Sequence, residues 1–537
     1  MAPQEKTSKY GHLPLSTSGP LECALTGTTL LNHPFFNKGS AHPKEERQTF
    51  NLTGLLPQSV QTLEQQAHRA YEQYSTRPND LAKNTFMTSL KEQNEILFYK
   101  LLYDHLEEMF SIIYTPTEGD AIQNYSRLFR RPEGCFLNIN DADRVHNDLA
   151  QWGRPEDIDY IVVTDGEEIL GIGDQGCGGI LISVAKLVLT TLCAGIHPNR
   201  TLPVVLDCGT DNEELLKDDL YLGLRSKRIR GERYDKFVDS FVQSARKLYP
   251  RAYIHFEDFG LDNDAIVTES KISKEDAAKQ LWLIDKPGLL TTETPLNGAQ
   301  KFFARSKEEW DGKSTDLLAV IKEVKPNVLI GTSTKPGSFT EDVVKEMASH
   351  VDRPIIMPLS NPTRLHEAVP KDILKWTEGR ALVATGSPFE PVKGPWGKDG
   401  KEVTIKVAEC NNSVVFPGIG LGSVLSRSKL VTDKMLVAAV EAVAEMSPAL
   451  KDSTAPLLPG VDIVRDVSVN VASKVIRAAV KDGLATEKGI PDSDEDLKEW
   501  IREQMWNPEY RPLKYTPMEV ASRQAKGQLK TVGTLEN

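Results

Sequence analysis

The sequence predicts an α/β fold that follows an N-terminal helical region, and three observations support this prediction. Residues 56–114 carry apolar side chains at helical spacing, with no strand pattern between them. Two later stretches, 133–260 and 281–390, alternate short β-branched runs with helical ones, which is typical of parallel sheets. The chain has 537 residues, too many for a single hydrophobic core, so we expect several domains.

The first alternating stretch contains three predicted strands, IDYIVVTDG, TLPVVLDCG and RAYIHFEDFG. A long apolar helix, roughly residues 178–195, lies between the first two. The longest apolar run, Ile180 to Ile196, is short for a membrane span and has Lys186 near its middle. The sequence therefore predicts a core helix and no membrane partner.

The second alternating stretch contains four predicted strands, each ending at Gly, Ser, Asn or a turn: LWLIDKPG, PNVLIGTS, RPIIMPLSNPT and ALVATGSPF. FTEDVVKEMASH and PKDILKWTEG are predicted helices between them. Ligands of such doubly wound sheets bind beyond the carboxyl ends of the strands. Two more helices, 433–446 and 461–480, and a polar tail complete the chain.

Composition excludes several classes of protein. The formal net charge of −12 argues against a large nucleic-acid interface. Six scattered cysteines without a C-x-x-C pair argue against a disulfide framework and a cysteine zinc site. The N-terminus has no apolar core and no Arg in its first forty residues, so we expect a cytoplasmic protein, with the mitochondrial matrix as the alternative.

Lys186 lies in a predicted helix that is apolar almost all round. Burial disfavours the charged ammonium, so the pKa of this lysine should fall and its neutral amine could act as a general base. The alternative is a lysine whose ammonium reaches the surface along an extended side chain. The sequence leaves the two interpretations about equal.

Glu257 and Asp258 form a tandem carboxylate at the end of a predicted strand, between two phenylalanines. Such oxygen ligands suit Mg²⁺ or Mn²⁺. The alternative is a solvated acidic turn.

Tyr114 ends an apolar run in SIIYTPTEGD, where the proline stops the helix. A tyrosine can act as a general acid, although a packed tyrosine with a satisfied hydroxyl is the commoner case.

Gly171, Gly173 and Gly176 match the dinucleotide fingerprint G-x-G-x-x-G, after a strand and before a helix. The next strand ends at Asp207, about 30 residues further on, whereas the usual spacing to the ribose-binding acid is roughly 20. We therefore expect the cofactor to bind elsewhere.

Taken together, these segments resemble the malic enzyme family over nearly the whole chain. The matching stretches are LTGLLP, IIYTPTEGD, FRRPEG, VVTDGEEILGIGDQG, LPVVLDCGTDNEELL, IHFEDFG, IMPLSNPT, LVATGSPF and CNNSVVFPGIGLG. The resemblance implies oxidative decarboxylation of (S)-malate to pyruvate and CO₂. It implies that Tyr114 is a general acid and Lys186 a general base. It also implies that Glu257 and Asp258 are metal ligands, and that Asn361 and either Asn411 or Asn412 bind malate.

The resemblance also implies Mg²⁺ or Mn²⁺, a nicotinamide cofactor and a homo-oligomer, either a dimer or a tetramer. Asp285 ends LWLID, as a ribose-binding acid does, and favours NAD, although the adjacent Lys286 keeps NADP as the alternative. Gly331, which ends PNVLIG, is the second candidate cofactor residue.

We predict four regions along the chain. A helical N-terminal domain covers residues 20–132, and an α/β domain that binds malate and the metal covers 133–261, completed by 412–490. A truncated Rossmann-like NAD-binding domain covers 262–411, and a tail covers 491–537.

The sequence departs from the family at two places. Glu168 stands where many members have an arginine that pairs with the substrate. After Gly260 the chain passes through LDNDAIVTESK into a later helix and LWLIDKPG. Compared with the family, it lacks a segment with the third metal carboxylate, the first Rossmann strand and its glycine loop. The gap would hold at least one βαβ unit of roughly 30 residues or more.

Three hypotheses follow. The first is a malic enzyme from which an internal segment is missing. The second is a catalytically inactive homologue that acts as an assembly or regulatory subunit. The third is another nicotinamide dehydrogenase that uses GIGDQG, and it would make the LSNPT and CNNSVVFPG stretches a coincidence.

Overall fold

The computed structural model describes residues 19–259, 278–296, 298–361 and 363–520. Its contacts divide the chain into two compact units. The first unit comprises residues 1–133, 195–201 and 502–537, and the second comprises 134–194 and 202–501. The junction after Gly260, where the sequence places the missing segment, lies outside the described residues.

The first unit is mainly helical, as predicted. The long helical stretch is divided because Asn79 and Asn94 each cap a new helix, accepting hydrogen bonds from the amides of Ala82 and Leu97. The helices of this unit are Gly27–Leu31, Lys44–Thr49, Leu63–Ser75, Asp80–Gln93, Glu95–Asp104, Leu106–Ile113, Thr117–Gln123 and Tyr125–Leu128.

The C-terminal tail contains more regular structure than its polar sequence predicts. It forms a helix, Asp494–Gln504, and a strand, β14 (Leu513–Tyr515). β14 pairs in parallel with β1 (Leu21–Cys23). Sequence patterns do not reveal so short a pair, because three residues give no measurable periodicity.

The first parallel sheet lies in the second unit. Its strands are β2 (Cys135–Asn138), β3 (Tyr160–Thr164), β4 (Thr201–Asp207) and β5 (Tyr253–Phe256), in the order β2-β4-β3-β5. β2 pairs with β4 and β3 with β5 in parallel register. The three predicted strands are confirmed, and β2 was missed. The helices among them are Val145–Leu149, Ile180–Ala194, Glu213–Lys217 and Glu232–Leu248.

The predicted apolar helix is a core element. In the described part of the chain one helical window, Gly176–Ala194, is long and apolar enough to cross a membrane, and 89% of it is buried inside the protein. All six cysteines are free, as the sequence predicts.

The second parallel sheet has the order β13-β10-β9-β8. Its strands are β8 (Val328–Gly331), β9 (Ile355–Pro358), β10 (Leu382–Thr385) and β13 (Ala408–Glu409), and each neighbouring pair is parallel. Three helices contribute to the core that covers one face: Leu317–Val324, Glu341–His350 and Pro370–Trp376. β8, β9 and β10 confirm three of the four predicted strands.

The remaining predicted strand of this stretch, a parallel strand at LWLID, is wrong. β6 (Ile284–Asp285) and β7 (Gly288–Leu289) form a small antiparallel hairpin outside the four-stranded sheet. In a Rossmann half the second strand pairs with the first, and the described residues contain no such first strand. Without that partner, the segment folds back on itself and packs Leu289 near Trp310 and Val320.

The remaining elements complete the second unit. The helix Phe416–Ser426 packs against the apolar helix Ile180–Ala194 and against β5. Gly420 lets the same helix lie close to β3, because a Cβ at this position would lie 2.2 Å from the ring of Tyr160. The other elements are the helices Gly298–Lys301, Lys307–Trp310, Asp433–Ala444 and Val464–Lys481, and the antiparallel pair β11 (Val392–Gly394) and β12 (Val403–Ile405).

Candidate active site

Lys186 lies inside the second unit and does not reach the surface. The residue is 1% exposed, so the interpretation of a lysine extending to solvent is wrong. The helix Ile180–Ala194 is buried on nearly all sides because it lies between the first sheet and the helix Phe416–Ser426. A lysine at its middle therefore needs polar partners within the protein.

The neighbours of the Lys186 ammonium include a carboxylate, an amide and an aromatic ring. Its Nζ lies 2.8 Å from Oε1 of Glu257 and donates a hydrogen bond of 3.1 Å to Oδ1 of Asn412. The ring of Phe416 presents its face 4.5 Å from the same nitrogen. A carboxylate at this distance favours the charged form of a lysine, and the role of Lys186 as a general base stays a prediction.

Glu257 is buried at the carboxyl end of β5, which rules out a solvated turn at this position. Burial by itself would raise the pKa of this carboxyl group. The charge of Lys186 and a contact with His255 outweigh burial and lower the pKa of Glu257 to about 2. The carboxylate is therefore held ionised throughout the physiological range.

His255 is a site residue that sequence reasoning missed. Its Nε2 lies 2.9 Å from Oε2 of Glu257, and its Nδ1 lies 3.1 Å from the hydroxyl of Tyr160. A neutral imidazole satisfies both contacts by donating to the carboxylate and accepting from the hydroxyl. The sequence could have indicated it, because His255 and Glu257 are two residues apart, and residues at this spacing on a strand point to the same side.

Asp258 follows Glu257 with a left-handed backbone (φ +54°), which turns its side chain away from the strand. Its Oδ2 accepts a hydrogen bond of 3.0 Å from the amide of Leu170. Burial, followed by the negative charge of Glu257, raises the pKa of Asp258 to about 6. Glu168, at the position where many family members have arginine, adds to this negative field.

The two carboxylates fit a divalent cation in kind. Both are hard oxygen donors, and burial together with the negative charge of Glu257 raises the pKa of Asp258. The set is incomplete in number: among the described residues, no group of three or more His, Cys, Asp or Glu is placed to hold a metal ion.

The predicted asparagines occupy different surroundings. Asn412 contacts Lys186, as described above, whereas Asn411 caps the next turn by accepting from the amide of Ser413 and donates to Glu409. Asn361 follows β9, where its Oδ1 accepts a hydrogen bond from the hydroxyl of Ser387. Of the two alternatives left open by the sequence, the structure brings Asn412 to Lys186.

Tyr114 belongs to the first unit. It ends the helix Leu106–Ile113, and its ring lies 6.1 Å from that of Phe110 in an edge-on arrangement. The side chain is buried, as the packed interpretation expects. Its role as a general acid stays a prediction.

The GIGDQG loop belongs to the first sheet, next to the helix that carries Lys186. Asp174 closes the loop from inside: Arg228 donates to both of its carboxylate oxygens, at 2.9 and 2.7 Å, and Thr210 donates at 2.8 Å. Gly176 is obligatory, because a Cβ there would lie 2.0 Å from the hydroxyl of Tyr221. The loop is thus held closed by a buried pair of a carboxylate and a guanidinium group.

Asp285 does not lie where its predicted role requires. It sits in the exposed β6–β7 hairpin, and its carboxylate accepts hydrogen bonds from the amide of Lys286 and from Gln300. The inference that it ends a parallel Rossmann strand is therefore wrong, for the reason given for LWLID.

Gly331 does lie at the carboxyl end of a parallel strand, as predicted. A Cβ there would lie 2.5 Å from the carboxyl carbon of Glu367. Glu367 is fully buried and accepts hydrogen bonds from the amide and hydroxyl of Ser333 and from the hydroxyl of Ser360. It joins the loops that follow β8 and β9, a role that sequence reasoning missed.

Comparison with known proteins gives two family matches. Residues 91–271 match the malic enzyme N-terminal domain, and residues 263–480 match the malic enzyme NAD binding domain. The chain is 44% identical to the mitochondrial NAD-dependent malic enzyme of Saccharomyces cerevisiae, over 93% of this chain and 85% of that protein. It is 43% identical to NAD-dependent malic enzyme 3 of Bacillus subtilis, over 93% of this chain and 99% of that protein. A crystal structure of Entamoeba histolytica malic enzyme is similar with a TM-score of 0.44 and 17% identity, covering 85% of this chain and 91% of that one.

The alignment lengths carry further information. The match to the Bacillus subtilis protein spans 572 positions, whereas 93% of a 537-residue chain is about 499 residues. The difference between 572 and 499 leaves about 73 positions with no residue of this chain opposite them. The relative therefore contains more residues within the matched region than this chain does.

Proposed function

Since this chain belongs to the malic enzyme family, we propose that its site is built for the NAD-dependent oxidative decarboxylation of (S)-malate to pyruvate and CO₂. The observation that carries the proposal is the meeting of Lys186, Glu257 and Asn412 in one buried cluster. These residues come from three separate segments of the sequence. A structural ion pair would not require a second carboxylate, Asp258, buried beside it with a raised pKa.

We assign the candidate base to Lys186. Its Nζ would take the proton of the substrate hydroxyl, with Asn412 holding that nitrogen in place. For this role Glu257 has to exchange the lysine ammonium for another positive partner, because the ion pair favours the protonated form. Tyr114 is assigned the return of a proton to the substrate carbon, and the amides of Asn361 and Asn412 the binding of the substrate carboxylates.

Glu257 and Asp258 would hold Mg²⁺ or Mn²⁺. When bound, such a cation lowers the pKa of the substrate hydroxyl and stabilises negative charge that develops on decarboxylation, while NAD accepts the hydride. NAD rather than NADP is proposed because the relatives at 44% and 43% identity are named as NAD-dependent.

We further propose that the chain as given turns over poorly because its nucleotide-binding half is incomplete. The second sheet begins at β8, and the hairpin at Asp285 lies outside it. The positions unmatched in the Bacillus subtilis alignment support an internal segment that this chain lacks. Hydride transfer requires the nicotinamide within a near-attack distance, and a small misplacement already costs about 10²-fold in rate.

The test compares two purified proteins, this chain and a version with the corresponding Bacillus subtilis segment inserted after Gly260. Each is given malate, Mn²⁺ and NAD⁺ or NADP⁺, and reduced nicotinamide is followed by absorbance. We expect malate-dependent turnover from the restored protein with NAD⁺, and a rate at least ~10²-fold lower from this chain. Absence of turnover in both proteins would count against the proposed function. Equal turnover would instead refute the missing-segment argument.

A variant tests the role of Lys186 in the restored protein. Lys186→Ala should abolish most of the turnover, and a small exogenous amine should recover part of it because it can occupy the vacated space. Turnover that survives the substitution would remove Lys186 from the mechanism.

The compartment and assembly also stay proposals. We favour a cytoplasmic protein, with the mitochondrial matrix as the alternative; the Saccharomyces cerevisiae relative is named as mitochondrial. A homo-oligomer is expected, with malate as the small-molecule partner.

A further inference from the structure

The Glu257 carboxylate is held through both of its oxygens. Lys186 approaches Oε1 from the apolar helix, at 2.8 Å, and His255 approaches Oε2 from β5, at 2.9 Å. The two contacts differ in kind, because a lysine is a flexible chain with one charged nitrogen, whereas an imidazole is a rigid ring with two fixed nitrogens. The orientation of the carboxylate is therefore set more firmly on the side of His255.

His255 is itself fixed by its neighbours. Its Nδ1 lies 3.1 Å from the hydroxyl of Tyr160, and the ring of Phe416 meets it edge-on with the ring centres 5.7 Å apart. Tyr160 is fully buried on β3, where the ring of Tyr253 and the close approach of Gly420 leave it little freedom. A tyrosine that donates to Nδ1 places the imidazole proton on Nε2, the nitrogen that faces the carboxylate.

These contacts add orientation to a carboxylate that already has a cation beside it. Lys186 supplies the opposite charge, whereas a neutral His255 with the Tyr160 hydroxyl behind it supplies direction. Asp258 shows the same feature, since its Oδ2 accepts a hydrogen bond of 3.0 Å from the amide of Leu170. Carboxylates that bind metal ions are typically oriented by hydrogen bonds of this kind, and the loss of such a bond costs about 10–100-fold in metal affinity.

We propose that His255, held in place by Tyr160, is a positioning residue that orients the Glu257 carboxylate toward a divalent cation shared with Asp258. This inference rests on the proposed function, which assigns the two carboxylates to Mg²⁺ or Mn²⁺. It adds two residues that act through Glu257 and touch neither the cation nor the substrate. The role requires an N–H donor at the position of Nε2, which a glutamine side chain can supply and a leucine side chain cannot.

The test uses the full chain with Mn²⁺ as the only ligand. The electron paramagnetic resonance signal of free Mn²⁺ gives the bound fraction in the absence of malate and NAD. We expect His255→Leu to weaken Mn²⁺ binding by at least ~10-fold, because Glu257 loses its orienting donor. His255→Gln should bind Mn²⁺ nearly as tightly as the unmodified chain, because its amide keeps an N–H donor. A residue that only filled space would not be rescued by glutamine.

Tyr160→Phe tests the second link, and it decides the question if His255→Leu does not fold. It should weaken Mn²⁺ binding, but less than His255→Leu does, because the imidazole keeps its contact with the carboxylate and loses the hydroxyl that fixes its proton on Nε2. Tyr253→Phe is the matched control. Tyr253 pairs with Tyr160 across β3 and β5, with the ring centres 4.9 Å apart, and removal of its hydroxyl should leave the affinity unchanged.

Unchanged Mn²⁺ affinity in a folded His255→Leu or Tyr160→Phe protein would overturn the proposal, and so would an equal loss in Tyr253→Phe. If the unmodified chain bound no Mn²⁺, the proposal would fall together with the metal assignment. Absence of turnover in the restored protein, with Mn²⁺ binding and its dependence on His255 intact, would instead count against the proposed function alone.

Discussion

Lys186 and Glu257 form a buried ion pair, and burial of either charge without the other would be unfavourable. Both are buried, and their charged atoms lie 2.8 Å apart. Removal of one partner from such a pair is strongly destabilising because it leaves the other charge buried without compensation. Replacement of both by neutral side chains is much less costly.

The first prediction is a double-mutant cycle on this pair. Lys186→Met should lower the free energy of unfolding by ~3–5 kcal/mol, because Glu257 remains buried and ionised without the lysine charge. Adding Glu257→Gln to Lys186→Met should recover much of the loss. Urea unfolding of the four proteins at pH 7 measures the coupling, and strict additivity would contradict the pairing.

The second prediction concerns the charge of Asp258. Its folded pKa, about 6, is above the ordinary value of 3.8, so the folded state binds its proton more tightly and loses stability as pH rises between these values. Asp258→Asn should therefore be more stable than the unmodified chain at pH 7 by ~1–2 kcal/mol. The gain should disappear below pH 3.8.

Glu257→Gln is the control, because we expect it to change the stability at pH 7 in the opposite direction to Asp258→Asn. The pKa of Glu257 falls from 4.5 to about 2, so its ionised form stabilises the fold above pH 4.5 and this contribution is lost as pH falls toward 2. Glu257→Gln should thus be less stable at pH 7 in metal-free buffer. If the two variants changed stability in the same direction, the charge assignment would be wrong.

At the scale of elements, the helix Phe416–Ser426 brings Asn412 and Phe416 to Lys186. Three glycines on this helix allow close packing, since a Cβ at Gly418, Gly420 or Gly422 would lie under 3.0 Å from Val471, Tyr160 or Val475. Tyr160 in turn contacts His255. Close packing at these glycines therefore affects the position of Tyr160, and through it the position of His255 in the site.

The third prediction tests this packing. Gly420→Ala should destabilise the protein by ~1–3 kcal/mol, because the added methyl group cannot be accommodated beside the Tyr160 ring. Gly119→Ala is the matched control: Gly119 is also helical, has open space around its Cβ position, and should gain ~0.5–1 kcal/mol. Thermal unfolding of both variants measures the difference. If Gly420→Ala left the unfolding temperature unchanged, the helix Phe416–Ser426 would not be tightly packed against Tyr160 on β3.

For the whole molecule, the two parallel sheets differ in completeness. The first has helices, loops and carboxylates assembled at the carboxyl ends of its strands. Among the described residues, the second has β8 as its last strand, whose Val328 and Ile330 side chains are exposed. The carboxyl ends of the first sheet carry the candidate site residues Glu257 and Asp258.

The fourth prediction follows for metal binding. Calorimetric titration with Mn²⁺ should give weak but measurable binding, because two carboxylates remain of an expected three. Glu257→Gln and Asp258→Asn should each abolish it, whereas Glu213→Gln, at an exposed carboxylate on another helix, should not. Tight binding that survives both site substitutions would remove the metal from this position.

Much of the fold could be predicted from local pattern. Strands β3, β4, β5, β8, β9 and β10 each combine β-branched residues with a turn, and all six were found. The failure at LWLID has a different origin, since a strand is defined by its partner and the described residues contain no first Rossmann strand for it to pair with. The tail strand β14 escaped notice because three residues give no periodicity and its partner β1 lies near the other end of the chain.

By itself the sequence determined the family, the alternation of strands and helices, and the candidate residues Lys186, Glu257 and Asp258. These depend on local chemistry, which a linear pattern records. Tertiary structure alone decided that Lys186 is buried with its Nζ 2.8 Å from Glu257, that His255 contacts Glu257, and that Asn412 rather than Asn411 meets the lysine. A side chain's charge and partners depend on burial and on segments far apart in sequence, which only the folded chain brings together.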